Sequence, residues 1–379
     1  MIRKVVVHTF HELSTPCLVL DKAKLLENAR RMSHRARDFN VNLRPHLKTA
    51  KSSEVGRIAT DMHFGGITVS TLREAEYFAE NGFTDITYAV CITPNKLKRA
   101  ESLIQRGICL KIITDSLDVA RSICERRFPH RVLIEIDCGE HRTGVAPASD
   151  EFLGIARILN ESEHAELHGV ITHGGHSYAC TTPKEIIDVA EEERRSAVDA
   201  AERLRNEGIQ IDCVSVGSTP TACFADSFDG VTEIRPGVYL FGDLFQVGLG
   251  VCAEQDIAVG VLASVISVHP SQNRFVIDAG GLALSKDRST ANGPKDMGYG
   301  KVVGLSMEFS EFNLLIQDVH QEHGEVVCEH SDFPWGELRV GQQVKVLVNH
   351  ICMTAAMYDE YFVVDDAQVI GKWARVNGW

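Results

Sequence analysis

Short runs of β-branched residues alternate with longer amphipathic, charge-rich segments from Leu18 to about Gly242, and this alternation constrains the fold most strongly. The runs predict eight strands, at residues 41–45, 66–70, 85–90, 110–114, 131–137, 167–173, 212–217 and 231–236. Between them lie helical patterns, among them residues 71–81, 95–106, 116–126 and 183–207. Because apolar strands that alternate with helices form parallel sheets, these eight units predict a (β/α)8 TIM barrel. An open doubly wound sheet is the alternative, but no GxGxxG motif follows the first strand.

The last third of the chain has a different residue pattern. Residues 255–379 contain Val- and Ile-rich runs separated by Gly, Asn and Asp turns, and no comparable long helical pattern. These runs predict a smaller, mainly antiparallel β domain. We therefore expect a barrel over residues 15–248 and a β domain formed by residues 1–14 and 249–379.

Composition argues against several classes of protein. The chain has 39 Lys and Arg residues against 52 Asp and Glu residues, and the resulting net charge of −13 disfavours nucleic-acid and anionic-membrane partners. Its 11 cysteines include no CxxC pair, which predicts free and mostly buried thiols in the reducing cytoplasm. The apolar run at the N-terminus is too short for a secretory signal, and the stretch at 257–268 is too short to span a bilayer.

The first barrel strand is followed by a basic turn that contains Lys48. Its sequence is Arg44-Pro45-His46-Leu47-Lys48. Active sites of parallel barrels gather at the C-terminal ends of the strands, where a desolvated lysine amine could form an imine with a carbonyl group. A solvated surface turn is the alternative for this segment, since lysine is usually exposed.

Polar residues also follow strand six, in a loop with paired glycines. His173, His176 and Tyr178 lie in this loop. Acid–base chemistry and a glycine-permitted, solvated turn are both compatible with it.

Strands seven and eight end in the segments Gly217-Ser218-Thr219 and Arg235-Pro236-Gly237-Val238-Tyr239. Barrels often bind phosphate with the loops after these two strands, through backbone N–H groups, hydroxyls and a helix N-terminus. The position of the two segments therefore predicts a phosphate site.

The β domain contains a possible metal site at His350 and Cys352. Residues i and i+2 of a strand lie on one face, so an imidazole nitrogen and a thiolate could bind one cation, and this donor pair suits zinc. A core histidine beside a buried cysteine is the alternative. Glu322 and His323 form a further acid–base pair or an exposed turn.

Taken together, these motifs resemble the fold type III pyridoxal-phosphate enzymes of the D-serine dehydratase and D-threonine aldolase group. The resemblance covers nearly the whole chain and implies an alanine-racemase-like barrel followed by a C-terminal β domain. Lys48 would carry pyridoxal 5′-phosphate as an imine, and Tyr178 and Arg235 would compete for the place beside the pyridine nitrogen. The resemblance also assigns the phosphate to Gly217, Ser218, Thr219, Gly237 and Tyr239, and a divalent metal to His350 and Cys352.

The reaction that the resemblance implies is metal-assisted elimination of water from a D-3-hydroxy amino acid of the D-serine or D-threo-3-hydroxyaspartate type. Lys48 would remove the Cα proton, His173 and His323 are further catalytic candidates, and the metal would activate the β-hydroxyl. Zinc is expected, with manganese, magnesium and cobalt as alternatives. The products would be a 2-oxo acid and ammonia, and the enzyme would be a homodimer.

Several other activities are compatible with parts of the same pattern. An aldolase would break the Cα–Cβ bond and release glycine and an aldehyde, but such enzymes typically have His-Cys-Asp where this chain has His350-Ile351-Cys352. A racemase would need a second base opposite the cofactor. A non-catalytic pyridoxal-phosphate carrier would resemble the barrel alone, and a cofactor-free barrel enzyme would use Lys48 for an imine of its own.

Overall fold

The structure is a computed structural model that describes residues 8–61, 63–304, 312–328, 330–365 and 368–379. The described chain divides into two compact units. The barrel unit contains residues 30–237 and 376–379, and the β unit contains residues 8–29 and 238–375.

The strands are numbered in chain order. They are β1 His8–Thr9, β2 Cys17–Asp21, β3 Asn42–Leu43, β4 Ile67–Val69, β5 Asp85–Cys91, β6 Cys109–Thr114, β7 Arg131–Ile136, β8 Glu166–Thr172, β9 Cys213–Val216, β10 Glu233–Ile234, β11 Val259–His269, β12 Arg274–Ile277, β13 Lys301–Gly304, β14 Leu314–Val319, β15 Gly324–Val327, β16 Gln343–Leu347, β17 Glu360–Asp365 and β18 Gln368–Ala374.

The α-helices are numbered in the same way. They are α1 Lys22–Asp38, α2 Ser53–Thr60, α3 Leu72–Glu80, α4 Leu97–Gln105, α5 Leu117–Glu125, α6 Asp150–Asn160, α7 Pro183–Asn206, α8 Thr219–Phe224, α9 Leu244–Gly248, α10 Gly281–Leu284 and α11 Ile351–Ala355. Within the described ranges, no helix is both long enough and apolar enough to cross a bilayer.

The barrel unit is built on an eight-stranded parallel sheet with the order β3-β10-β9-β8-β7-β6-β5-β4. A parallel bridge between His46 and Thr68 joins the two ends of this sheet. There the N–H of Leu47 donates to the carbonyl of Thr68 (2.8 Å), and the N–H of Thr68 donates to the carbonyl of Pro45 (2.9 Å). The ring is therefore closed, and the predicted (β/α)8 barrel with its eight strands is confirmed.

Local sequence explains how the barrel helices begin. Thr71, Ser116 and Ser149 cap α3, α5 and α6, since each hydroxyl accepts a hydrogen bond from the backbone N–H three residues later. Thr182 and Glu185 form a reciprocal capping box at the start of α7. Such caps satisfy N–H groups that have no partner within a helix, and they fix where each helix leaves its loop.

An ionic network lies where β5 and β10 begin, at the N-terminal end of the barrel. Arg44 donates to Glu233 (2.7 Å) and to Asp85 (2.8 Å), and Lys111 donates to Asp85 (2.6 Å). The Arg44 and Glu233 side chains are only 3% and 7% exposed. Because water cannot solvate these charges, each depends on its partner.

Replacement of Arg44 by alanine should therefore destabilise the protein. Removing one partner of a buried ion pair costs about 3–5 kcal/mol, because the other charge is left uncompensated. Urea denaturation of Arg44→Ala should show a loss of this size in the free energy of unfolding. The control is Arg99→Ala, which breaks an ion pair with Glu76 on the surface and should cost at most about 1 kcal/mol. Equal losses in the two variants would contradict this account of the network.

The β unit contains a ten-stranded sheet with the order β1-β18-β17-β2-β11-β12-β15-β14-β13-β16. Strand β16 also pairs with β11, so the strands from β11 to β16 close into a small barrel. The pairings are antiparallel except that of β2 with β17, which confirms a mainly antiparallel C-terminal part. Strand β2 pairs in this sheet although the sequence analysis included it in the 15–248 barrel; the exact domain limits stay a prediction.

Candidate functional site

Lys48 lies in the turn after β3, at the C-terminal end of the barrel. Its backbone N–H contacts Nδ1 of His46 at 3.4 Å. The Lys48 side chain is exposed, whereas Leu47 and Thr49 on either side of it are buried. The exposure of Lys48 agrees with the surface-turn alternative for this segment, and an imine-forming role for its amine stays a prediction.

Positive charge is concentrated around this turn. Burial, followed by the charges of Lys48 and Arg235 and by His173, holds the pKa of His46 well below its ordinary value. Burial and the charges of Lys48, Arg142 and Arg235 do the same for the pKa of His173. Both imidazoles are therefore neutral at pH 7, and the cationic groups near them form an environment that suits an anionic ligand.

Arg235 is fixed inside the barrel by neighbouring strands. It is 5% exposed, and it donates to Oγ of Ser215 (2.6 Å) and to the carbonyl of Thr172 (2.5 Å). Tyr178 lies in the one-turn helix Gly175–Ala179, and its ring centroid is 6.4 Å from that of His173. The choice between Tyr178 and Arg235 as the neighbour of a pyridine nitrogen stays a prediction.

The structure brings together the loops after β9 and β10. Gly217 has φ +115°, a conformation that side chains rarely adopt, and Ser218 then caps α8 by accepting from the N–H of Thr221 (3.2 Å). The N–H of Gly237 donates to Oγ1 of Thr219 (3.2 Å). These contacts bring together Gly217, Ser218, Thr219 and Gly237, which the sequence assigns to a phosphate site. Tyr239 belongs to the β unit, where it is buried in the turn Val238–Leu240.

Gly237 also approaches the turn that carries Lys48. A Cβ atom at this position would lie 2.6 Å from the carbonyl oxygen of His46, a distance that real Cβ atoms do not show. Glycine is therefore required for the loop after β10 to reach the loop after β3. The phosphate candidates and Lys48 consequently belong to one end of the barrel.

Sequence analysis missed Glu193, a buried carboxylate on α7. Its Oε1 atom accepts hydrogen bonds from the N–H of Gly174 (2.5 Å) and from the N–H of Gly217 (2.9 Å). The other buried residues of α7 are Ile, Ala and Leu. The sequence signal that could have indicated Glu193 is a single carboxylate on an otherwise apolar helix face.

In the β unit, His350 and Cys352 are in contact, but not on a strand. Strand β16 ends at Leu347, and His350 is the N-cap of the short helix α11. The strand argument is therefore wrong, because the chain turns into a helix before these residues. A hydrogen bond nevertheless joins the two side chains. The structure thus brings together the two predicted metal ligands.

Two carboxylates accompany this pair, and sequence analysis missed both. Asp287 contacts Nδ1 of His350 at 3.1 Å, and Asp243 accepts from the N–H of Ile351 (3.1 Å). Burial opposes a charged imidazole, but the hydrogen bonds with Asp287 and Cys352 and the charge of Asp243 raise the pKa of His350 to about 11. Burial raises the pKa of Asp243 to about 6. An environment that stabilises an extra positive charge, with nitrogen and sulfur donors in contact, fits a divalent cation.

His323 lies in the exposed hairpin turn between β14 and β15. Its carbonyl accepts from the N–H of His320 (2.9 Å), which closes the hairpin. This position corresponds to the exposed-turn alternative, and a catalytic role for His323 stays a prediction.

A further group of potential metal ligands lies near the C-terminal ends of β5, β6 and β7. The donor atoms of Cys91, Asp115 and Glu135 lie within 4.8 Å of one another. The Cys91 thiol donates to Glu135 (2.9 Å), and burial together with the two carboxylates raises the pKa of this thiol. The arrangement is accordingly that of a protonated, hydrogen-bonded cysteine.

Comparison with known families gives two matches in sequence. The alanine racemase N-terminal domain matches residues 20–244, and a putative serine dehydratase domain matches residues 258–364. Together these two ranges cover both the barrel strands and most of the β unit.

Three named relatives are similar over nearly the whole chain. D-threo-3-hydroxyaspartate dehydratase of Delftia sp. (strain HT23) is 40% identical over 98% of this chain and 99% of that protein. D-serine dehydratase of Dictyostelium discoideum is 33% identical over 97% of this chain and 98% of that protein. A 3-hydroxy-D-aspartate aldolase of Paracoccus denitrificans is 26% identical over 97% of this chain and 94% of that protein.

Solved structures agree with these relatives. The structure of the Delftia sp. HT23 dehydratase has a TM-score of 0.92 and 39% identity, and the match covers 98% of this chain and all (100%) of that one. A cysteine-to-alanine mutant of D-threo-3-hydroxyaspartate dehydratase in the metal-free form has a TM-score of 0.93 at the same coverage. This chain therefore belongs to the alanine racemase N-terminal domain family, in the group in which a serine dehydratase domain follows the barrel.

Proposed function

We propose that this chain is a pyridoxal-phosphate- and metal-dependent lyase that eliminates water from a D-3-hydroxy amino acid, releasing a 2-oxo acid and ammonia. The observation that carries the proposal is the contact between His350 and Cys352 in a chain whose barrel presents Lys48 at its C-terminal end. The two relatives named as dehydratases are 40% and 33% identical to this chain. D-serine and D-threo-3-hydroxyaspartate are accordingly the proposed substrates.

The residues of the barrel unit fit pyridoxal 5′-phosphate. A ligand with a phosphate and an aldehyde suits a cationic environment that contains one exposed lysine amine and a glycine-containing loop. Lys48 would hold the cofactor, and Gly217, Ser218, Thr219 and Gly237 would hold its phosphate; a role for Tyr239, which belongs to the β unit, stays a prediction. Tyr178 and Arg235 would lie beside the pyridine ring. When bound, this cofactor supplies an electron sink for negative charge at Cα.

Proton transfer is assigned to Lys48. Its Nζ atom would remove the Cα proton of the bound substrate. His46 and His173 are neutral at pH 7 because of burial and the surrounding positive charge. They can therefore accept or donate hydrogen bonds near Lys48 without adding charge, and His173 is the proposed second proton-transfer group.

His350 and Cys352 would hold the divalent metal, which supplies Lewis-acid stabilisation of a leaving hydroxide. An imidazole and a thiolate favour zinc among the common divalent ions, and two protein ligands leave positions for water and substrate. Asp287 would orient His350 through Nδ1, and it would thereby fix Nε2 as the nitrogen available to the metal.

Asp287 provides a test of this metal site. Loss of a carboxylate that orients a histidine ligand typically lowers metal affinity about 10–100-fold. We expect Asp287→Asn to lower zinc affinity by that factor in a competition titration with a chromogenic chelator. Asp296→Asn is the matched control, because Asp296 is an exposed partner of Arg288. Unchanged zinc affinity in Asp287→Asn would remove Asp287 from the site.

Retro-aldol cleavage is the second candidate function. It is favoured by the match to the Paracoccus aldolase, which also extends over nearly the whole chain. The same residues could serve either reaction, since both begin with a D-3-hydroxy amino acid. The two reactions, however, release different products from the same substrate.

Incubation with D-threonine distinguishes the two candidates. The proposed dehydratase should release 2-oxobutyrate and ammonia in equal amounts. Glycine and acetaldehyde would instead assign an aldolase, and D-threonine converted to its α-epimer would assign a racemase. Mass spectrometry of the products, with a coupled ammonia assay, reads out all three outcomes.

We further propose a homodimer in the cytoplasm. The 11 cysteines are free thiols, as a reducing compartment favours. Leu282, Met353 and Met357 of the β unit are exposed apolar side chains, and a second copy of the chain would remove them from water. Light scattering should give the mass of a dimer, and a monomeric mass would contradict this part of the proposal.

A further inference from the structure

Glu193 is a carboxylate in a place that normally holds an apolar side chain. Helix α7 packs against β8 and β9 through a stripe of residues three or four positions apart, and Glu193 lies in the middle of that stripe. Its side chain is 1% exposed. Burial of a carboxylate is unfavourable unless hydrogen bonds replace the lost water, so the partners of Glu193 are the reason it can occupy this position.

Those partners lie in two different loops. The N–H of Gly174, just after β8, and the N–H of Gly217, just after β9, both donate to the same Oε1 atom, at 2.5 and 2.9 Å. The Thr221 side chain forms a further hydrogen bond with the carboxylate. One side chain thereby connects the loop of His173 and Tyr178 with the loop of Ser218 and Thr219.

The backbone at both loops allows this close approach. A Cβ atom at Gly174 would lie 3.1 Å from the carboxyl carbon of Glu193, which is tighter than ordinary packing. Gly217 adopts φ +115°, which glycine tolerates and other residues rarely adopt. Glycine at 174 therefore leaves room for the Glu193 carboxylate, and glycine at 217 allows the backbone conformation in which its N–H donates to Glu193.

We infer that Glu193 is a positioning residue that holds the loop after β8 and the loop after β9 at a fixed separation. One part of this inference rests on the proposed function, namely that the two loops contact different ends of pyridoxal 5′-phosphate. His173 and Tyr178 would meet the ring of the cofactor, and Ser218 and Thr219 would meet its phosphate. A fixed separation between these groups matches the fixed length of the cofactor.

Two substitutions of Glu193 separate the effect of side-chain length from the effect of charge. Glutamine at 193 keeps the length of the side chain and an oxygen that can accept both N–H groups, but it has no charge. Aspartate keeps the charge but is one methylene shorter, so its oxygen cannot reach both loops without displacing one. If Glu193 acts through position, Glu193→Gln should resemble the wild type and Glu193→Asp should not.

Two measurements on the full-length protein test this. The first is hydrogen exchange of the Gly174 and Gly217 amides in cofactor-free protein, which should accelerate several-fold, up to about tenfold, in Glu193→Asp, because at least one of the two amides loses its hydrogen bond. The second is the ratio of the affinities for pyridoxal 5′-phosphate and for pyridoxal, which lacks the phosphate. This ratio should fall by a similar factor in Glu193→Asp, because the phosphate loop loses the hydrogen bond that positions it. Glu202→Asp, an exposed change on the same helix, is the control and should alter neither quantity.

Each outcome decides the inference. Accelerated exchange in both loops and a lower affinity ratio in Glu193→Asp, with near-wild-type values in Glu193→Gln, would support it. Unchanged exchange in Glu193→Asp would overturn it, and so would damage in Glu193→Gln equal to or greater than that in Glu193→Asp, because a role through position requires the variant of full length to be tolerated. If the wild type fails to bind pyridoxal 5′-phosphate, the proposed function fails, while the exchange measurement still decides whether Glu193 holds the two loops.

Discussion

Replacement of Lys48 by alanine should reduce the turnover of D-serine and D-threo-3-hydroxyaspartate by a factor on the order of 10⁴ or more. The reason is that one nitrogen atom has two proposed tasks, which are attachment of the cofactor and removal of the Cα proton. Loss of a general base alone typically costs about 10²–10⁴ in rate, and loss of covalent attachment adds to it. Initial rates of 2-oxo acid formation measure the effect.

The visible absorbance of the purified protein gives an independent measure of the same change. Lysine-bound pyridoxal 5′-phosphate absorbs in the visible range, and the Lys48→Ala variant should lack this band even with added cofactor. Lys98→Ala is the control, because Lys98 is exposed on α4. A Lys48→Ala variant that keeps both the band and the rate would show that another group carries the cofactor.

Replacement of Cys352 by alanine should reduce turnover to the level of wild-type protein treated with a chelator. Cys352 is one of two proposed protein ligands, and a site with a single remaining imidazole should not retain zinc at micromolar concentrations. We expect a loss of about 100-fold or more, since Lewis-acid stabilisation of the leaving group is worth several kcal/mol. Rates with and without chelator, together with metal content by mass spectrometry, check this.

The combination of the variant and the chelator is the sharpest part of this test. If Cys352 acts only through the metal, a chelator should have no further effect on Cys352→Ala. Cys252→Ala is the control; Cys252 is a half-buried cysteine of the same unit that forms no disulfide, and its replacement should leave chelator sensitivity intact. A Cys352→Ala variant that is active and still inhibited by the chelator would place the metal on other ligands.

The barrel could be predicted from the sequence because its strands are buried on both faces. Strands such as β7 Arg131–Ile136 are therefore mainly apolar, and Ser and Thr caps mark the beginnings of the helices between them. The shortest strands of the barrel, β3 and β10, are each followed within two residues by a proline, which cannot donate a backbone hydrogen bond to a neighbouring strand. Periodicity and caps are local properties, and a single sequence contains them.

The site was only partly predictable, since its hydrogen bonds connect distant segments. Asp287 lies 63 residues before His350, and nothing around either residue indicates that they meet. His350 and Cys352 could be paired from their spacing, but the helix that begins after His350 could not be distinguished from a strand. The sequence left open whether Lys48 is desolvated or exposed for a similar reason, since a turn can direct either of two neighbouring side chains outward.

We claim that the elimination of water depends on the metal, and a single experiment with three conditions tests this. Purified protein with added pyridoxal 5′-phosphate is given D-threo-3-hydroxyaspartate before chelation, after chelation and after zinc is restored, and the products are quantified. We predict oxaloacetate and ammonia in equal amounts, lost on chelation and recovered with zinc. Glycine and glyoxylate as products, or full elimination activity in the chelated protein, would contradict the claim.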